Sequence, residues 1–82
     1  MARRTSPQAG PGKLNVLGPK LRMFREEKGY KQIDFAARLQ LHGWNIDPVT
    51  ANRIECGTRT LTDVELLLIL KVLGKRLSDL DD

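Results

Sequence analysis

The sequence contains very little of the chemistry from which metal sites and disulfides are built. It has one cysteine, Cys56, and one histidine, His42, in 82 residues. A structural zinc site needs about four such ligands, so we expect no bound metal, and nothing indicates another cofactor. A lone cysteine cannot form an intramolecular disulfide, which fits a reducing compartment.

Long apolar segments and catalytic motifs are also absent from the sequence. No apolar run reaches the roughly 18 residues of a transmembrane helix, and no hydrophobic signal segment follows the basic N-terminus. We therefore expect a cytoplasmic protein without a membrane span. The sequence has no glycine-rich phosphate loop, no nucleophile with a neighbouring base and no paired carboxylates at an apparent pocket. We therefore predict that it is not an enzyme, and no small-molecule ligand is evident.

The whole chain has a net charge of +4, and its positive charge is concentrated in the first three quarters of the sequence. Residues 1–16 contain three basic residues and no acid, and residues 17–59 contain eight basic against five acidic residues. Residues 60–82 contain three basic against five acidic residues. A basic surface suits a nucleic acid partner, because phosphate contacts supply most non-specific affinity. A net charge of this size is also ordinary for a soluble protein.

The composition divides the chain into an arm and one small domain. Residues 1–16 are rich in Pro, Gly, Ser and Arg without periodicity, which predicts a disordered basic N-terminal arm. Such an arm either follows DNA or is simply a solvated tail. Residues 17–82 form the predicted domain, which is small enough to be only marginally stable.

Helical patterns begin and end this domain. In residues 17–28, Leu17, Leu21 and Phe24 recur at i, i+4 and i+7, and Gly29 follows. Residues 62–65 form a capping box before a leucine-rich helix, 63–73, that is apolar on nearly all sides. A last short turn is predicted at residues 77–80.

Between these patterns, residues 32–57 predict two short helices joined by a long turn. The first, 32–41, has one apolar face. The second, 48–55, begins with Asp47 as its N-cap and Pro48 at its first position, and Gly57 ends it. Its apolar face contains Ala51 and Ile54, while Val49, Asn52 and Arg53 lie on the opposite face. A helix that packs on one side and offers base-reading groups on the other indicates a helix-turn-helix.

Three motifs carry a resemblance to a known family. They are Gln-x-x-x-Ala at residues 32–36, Arg-Ile-Glu-x-Gly at residues 53–57, and the final leucine-rich helix that ends in Leu-Gly. Together they resemble the Cro/repressor-type (XRE-like) helix-turn-helix domain over roughly residues 17–80. The resemblance implies an all-α, five-helix, lambda-repressor-like DNA-binding domain. The turn inside the helix-turn-helix is longer than the family's usual spacing.

The resemblance also implies roles for individual residues. Arg25 and Glu55 would form a structural ion pair. Arg53 suits guanine and Asn52 suits adenine. The base contacts implied are Pro48, Val49, Asn52 and Arg53, and the phosphate contacts are Lys31, Gln32, Thr50, Thr58 and Arg59.

Two hypotheses about function follow. The first is a sequence-specific transcriptional regulator of phage-repressor type, which binds double-stranded DNA as a homodimer on a two-fold operator and reads the major groove with residues 48–55. The alternative is a protein-interaction module of the same fold, antitoxin-like or an adaptor, acting through Trp44 and helix 63–73. Trp44 would be either a lid on the core or an exposed anchor for a partner.

Overall fold

A computed structural model describes residues 12–81 as a bundle of helices, and no strand occurs among them. The four α-helices are α1 (Gly18–Glu27), α2 (Gln32–Leu41), α3 (Pro48–Cys56) and α4 (Asp63–Leu73). This confirms the all-α fold. The predicted fifth α-helix is wrong, because the last element, Leu77–Asp81, is a short 3₁₀ helix. Its start is tightened by Asp79, whose Oδ2 accepts the Arg76 N–H at 2.7 Å.

The capping residues act as the sequence predicts for α3 and α4. Asp47 Oδ1 accepts the Thr50 N–H at 2.7 Å at the start of α3. Thr62 and Glu65 form a reciprocal capping box at the start of α4. Gly57 ends α3 in the left-handed region at φ 79°. Both boundaries of α3 and the start of α4 are therefore set by local chemistry.

The start of α2 is only half capped. Asp34 Oδ2 accepts the Lys31 N–H at 3.1 Å, but an ammonium side chain cannot accept a hydrogen bond in return. The first backbone N–H groups, which no α-helix pairs internally, therefore have no acceptor from the Lys31 side chain.

A buried apolar core lies where α3 and α4 each pack against both α1 and α2. Ile46, from the long turn, joins it, and the Gln40 side chain fixes this turn by donating to the Ile46 carbonyl at 2.7 Å. The core-facing positions of α4 are buried, whereas Val64 and Leu67 are 72% and 52% exposed. The buried apolar residues are Leu21, Phe24, Phe35, Ala36, Leu39, Ile46, Ala51, Ile54, Ile69, Leu70 and Leu73.

The start of α1 meets the end of α3 almost backbone to backbone. A Cβ on Gly18 would overlap the carbonyl oxygen of Ile54 and would lie 2.6 Å from that of Glu55. Asn15 joins the same two ends: its Oδ1 accepts the Gly18 N–H at 2.7 Å, and its Nδ2 donates to the carbonyls of Ile54 and Arg59 at 3.1 and 2.8 Å. Carbonyls that α3 cannot satisfy internally are thus paired.

Two further contacts hold the chain before Asn15 against α3. The Leu14 N–H donates to the Gly57 carbonyl at 2.6 Å, and the Lys13 ammonium donates to the Cys56 carbonyl at 2.7 Å. A cation there also suits the negative end of the helix dipole. Residues 13–15, which the sequence assigns to the arm, therefore lie along the end of α3. The disorder predicted for residues 1–11 concerns residues outside those described.

We expect Gly18→Ala to lower the free energy of unfolding by about 1–3 kcal/mol, since the added methyl would push apart two backbone segments. This loss should exceed the gain of up to about 1 kcal/mol that alanine brings to a helix. Urea unfolding of the wild type and the variant measures the net change in the free energy of unfolding. Met23→Ala, at an exposed position of the same helix, is the control and should change stability by about 0.5 kcal/mol or less. A Gly18→Ala protein as stable as this control would contradict the close approach.

Candidate nucleic-acid interface

One face of α3 points away from the core. Ala51, Ile54 and Glu55 are buried, whereas Val49 is 59% exposed and Asn52 and Arg53 are also exposed. The remaining predicted base-contact residue, Pro48, is half-buried at the first helical position. The outward face thus combines an apolar group, an amide and a guanidinium, which together can match the apolar and polar features of base edges.

Arg53 has the free donors that base reading requires. Its guanidinium makes no hydrogen bond or ion pair with another residue in 12–81. Its charge does act on Asp47, the exposed N-cap carboxylate. The pKa of Asp47 lies below its ordinary value, mainly because the Thr50 backbone N–H bonds to the carboxylate, followed by the Thr50 side chain and the Arg53 charge. An ionised carboxylate therefore lies close to the outward face of α3, where it would repel a phosphate group.

A buried ion pair fixes α3 from behind. Arg25 Nε and Nη2 donate to Glu55 Oε2 and Oε1 at 2.7 and 3.1 Å, and the two side chains are 9% and 1% exposed. The expected pairing of Arg25 with Glu55 is thus present. Arg25 Nη1 also donates to the Tyr30 carbonyl at 2.6 Å, just before α2. One guanidinium therefore links α1, α3 and the entry to α2.

The Glu55 carboxylate connects to the outward face of α3 through Gln32. Gln32 Nε2 lies 3.0 Å from Glu55 Oε1 and 2.9 Å from Asn52 Oδ1. Both N–H groups of this amide are therefore used inside the domain. A phosphate contact from Gln32 would have to use its backbone N–H or exchange one of these bonds.

The other predicted phosphate contacts are distributed unevenly. Lys31 and Thr58 are exposed, Thr50 is half-buried, and Thr58 Oγ1 donates to the Arg53 carbonyl at 3.3 Å. Arg59 is directed toward α4 instead. Its guanidinium forms two 3.1 Å hydrogen bonds with Glu65.

Trp44, in the long turn between α2 and α3, lies next to Arg59. Its ring is half-buried against the core, 5.8 Å from the Arg59 guanidinium carbon. It also lines a shallow cavity of about 270 Å³ together with Val64 and Leu68. Trp44 thus packs against the core, as the lid hypothesis expects, and also lines a surface cavity, as the partner-anchor hypothesis expects.

Asn15 and Lys13 are the residues near this site that the sequence analysis missed. An asparagine shortly before the first periodic leucines is a helix-start signal, because its side chain can accept a free backbone N–H. That signal was present in the sequence for Asn15. No sequence pattern indicated that the Lys13 side chain would bind the end of α3.

Removing one partner of the buried ion pair should be costly. We expect Arg25→Met to lower the free energy of unfolding by about 3–5 kcal/mol, because Glu55 stays buried without its counter-charge. Arg22→Ala is the control, since the Arg22–Glu26 pair is 57% exposed on both sides and its loss should cost about 1 kcal/mol or less. Urea unfolding compares them. Equal losses in the two variants would show that the buried pair is not structurally important.

Acid should destabilise the domain partly through its capping carboxylates. The pKa of Glu65 is lowered chiefly by its hydrogen bonds from Arg59, and that of Asp47 by those from Thr50. Carboxylates with lowered pKa values stabilise the fold above their unfolded pKa, about 4, and lose that contribution as the pH falls through the folded pKa. The free energy of unfolding, measured at a series of pH values between 7 and 2, should show this loss.

Asp47→Asn is the matched variant for this titration, because asparagine also caps helices but does not ionise. It should be close to wild type in stability at pH 7 and lose less stability on acidification. An unchanged acid profile would exclude Asp47 as a contributor.

The chain matches one family model of known proteins and nothing else in three comparisons. No curated protein and no solved structure matches the chain significantly. No helix among residues 12–81 is long and apolar enough to cross a membrane.

A helix-turn-helix family model matches residues 21–80, which include all four α-helices apart from the first turn of α1. The chain therefore belongs to the XRE-type helix-turn-helix family of DNA-binding domains.

Proposed function

We propose that the protein is a sequence-specific transcriptional regulator of phage-repressor type that places α3 in the major groove of double-stranded DNA. The observation that carries this proposal is the outward face of α3, where Arg53 and the Asn52 amide nitrogen have donors without partners in the described domain. A regulator of this kind acts where the DNA lies, so a cytoplasmic location is part of the proposal.

Base reading would come from the exposed side of α3. Arg53 can donate two hydrogen bonds to guanine, and Val49 and Pro48 can contact a thymine methyl group. The fourth base contact is Asn52. These groups are held in place by the buried pair behind them, which limits the movement of the helix against the rest of the domain.

Phosphate contacts would set the register of α3 on the duplex. Lys31 and the backbone N–H groups at the start of α2 are well suited, since the positive end of a helix attracts anions. Thr50 and Thr58 would contribute hydroxyl groups by turning them away from Asp47 and from the Arg53 carbonyl. Arg59 could contribute only by giving up hydrogen bonds to Glu65, so it is the weakest of the proposed phosphate contacts.

A single domain of this size reads few base pairs, so we propose a homodimer on a two-fold operator. Its half-sites would lie about 34 Å apart, one turn of DNA, or a multiple of that distance. Regulation would follow from blocking polymerase or from contacting it.

A second function, a protein-interaction module such as an antitoxin or adaptor, is favoured by one specific observation. Trp44 borders the shallow cavity next to α4, and Val64 and Leu67 on α4 are exposed. Exposed apolar side chains around a tryptophan are typical of protein contacts.

Selection from random duplexes with the purified protein tests the regulator directly. An enriched, roughly palindromic motif with strongly salt-dependent affinity would support a dimeric regulator. Binding that is weak and indifferent to sequence would favour the protein-interaction function.

Substitution of Arg53 tests its role as a reader. Arg53→Ala should weaken binding to the selected duplex by about 1–3 kcal/mol and change binding to a scrambled duplex little. Arg53→Lys keeps the positive charge but cannot make the bidentate contact with guanine, so it should also lose sequence specificity. Arg76→Ala, which removes one exposed charge after α4, is the control for net charge. If Arg53→Ala and Arg76→Ala weaken both duplexes equally, Arg53 is not a base reader.

A further inference from the structure

The orientation of a reading side chain is fixed by a series of hydrogen bonds that begins at Glu55. Its carboxylate is buried, and Arg25 donates to both oxygens at 2.7 and 3.1 Å. A carboxylate paired with arginine accepts hydrogen bonds and donates none. Any other polar group that faces Glu55 Oε1 must therefore be a donor.

Gln32 supplies that donor, and the bond determines how its amide is turned. Nε2, the atom 3.0 Å from Glu55 Oε1, has to be the nitrogen. An amide nitrogen carries two N–H groups, and the second one points to Asn52 at 2.9 Å. Gln32 therefore presents only donors toward both neighbours.

The orientation of Asn52 follows from that of Gln32. Facing an N–H group, Asn52 must present its oxygen, because the reverse orientation would bring two NH₂ groups together. The Cys56 thiol, with Sγ 3.7 Å from Asn52 Oδ1, is a second and weaker donor to this oxygen. Asn52 Nδ2 makes no hydrogen bond within residues 12–81, and the residue is exposed. The amide thus offers its NH₂ group outward.

We infer that Asn52 reads DNA as a donor only, so that it selects guanine and rejects adenine; this rests on the function proposed above. Guanine presents two acceptors, O6 and N7, in the major groove. Adenine presents an acceptor beside a donor and needs an amide with both its oxygen and its nitrogen exposed. With its oxygen bound to Gln32, Asn52 offers adenine at most one hydrogen bond. The base preference is opposite to the one that asparagine alone suggests.

Random duplex selection with wild type and Asn52→Ala locates the base that Asn52 reads, as the position whose preference disappears in the variant. At that position, wild type should prefer guanine over adenine by about fivefold or more. Arg53→Ala, run in parallel, should alter a different position.

Gln32→Met tests the origin of this preference. Methionine fills similar space without an N–H group, so the Asn52 amide becomes free to turn its oxygen outward. Adenine should then rise relative to guanine by about threefold or more at the Asn52 position and at no other. Thermal unfolding of the variant establishes that it is folded. A folded variant with an unchanged ratio would overturn the inference.

A substitution in the DNA tests the same contact without changing the protein. Replacing the guanine at that position with 7-deazaguanine removes the N7 acceptor, and wild-type affinity should fall by about threefold or more. The measurement keeps the inference testable even if Gln32→Met fails to fold. Unchanged affinity would count against the contact.

Three outcomes separate this inference from the function on which it rests. If wild type selects a motif but prefers adenine at the Asn52 position, the donor-only inference is wrong and the regulator stands. The donor-only inference is also wrong, and the regulator also stands, if Asn52→Ala leaves the base preferences at all positions unchanged. If wild type selects no motif, the proposed regulator fails and the inference fails with it.

Discussion

The pair between Arg25 and Glu55 is the contact on which the rest of the site depends. It lies at the meeting point of α1, α3 and the chain entering α2, because the same guanidinium also holds the Tyr30 carbonyl. In a buried setting an unpaired charge is expensive, so few other arrangements of these helices satisfy both groups. The pair therefore determines orientation more than it adds stability. Through Gln32 that orientation extends to a side chain on the surface.

Much of the fold could be predicted from the sequence because its signals are local. Asp47 before Pro48, the capping box at residue 62, and Gly57 after the helix act within a few residues of where they stand. The end of α4, at Gly74, follows from the same kind of signal. Only the last element differed, since a five-residue segment is too short to form a stable α-helix.

The side-chain partners at the site were less predictable because they depend on residues distant in the chain. Asn15 contacts Ile54, 39 residues later, and no periodic pattern connects the two. Arg59 resembled a phosphate contact in sequence, yet in the structure Glu65 engages its guanidinium. The residue type of Asn52 gave its chemistry but not the direction of its amide. Direction depends on Gln32 and Glu55, which the fold brings together.

The anchoring of residues 13–15 along the end of α3 determines where any preceding chain leaves the domain. Lys13 and Leu14 hold that chain at the end of the helix through the carbonyls of Cys56 and Gly57. A purification tag or fluorescent protein attached at the N-terminus would thus join the domain through a segment bound to the end of α3, the helix proposed to meet DNA. The other end of the chain departs after the 3₁₀ helix that follows α4. A fusion at that end leaves the segment bound to the end of α3 unchanged.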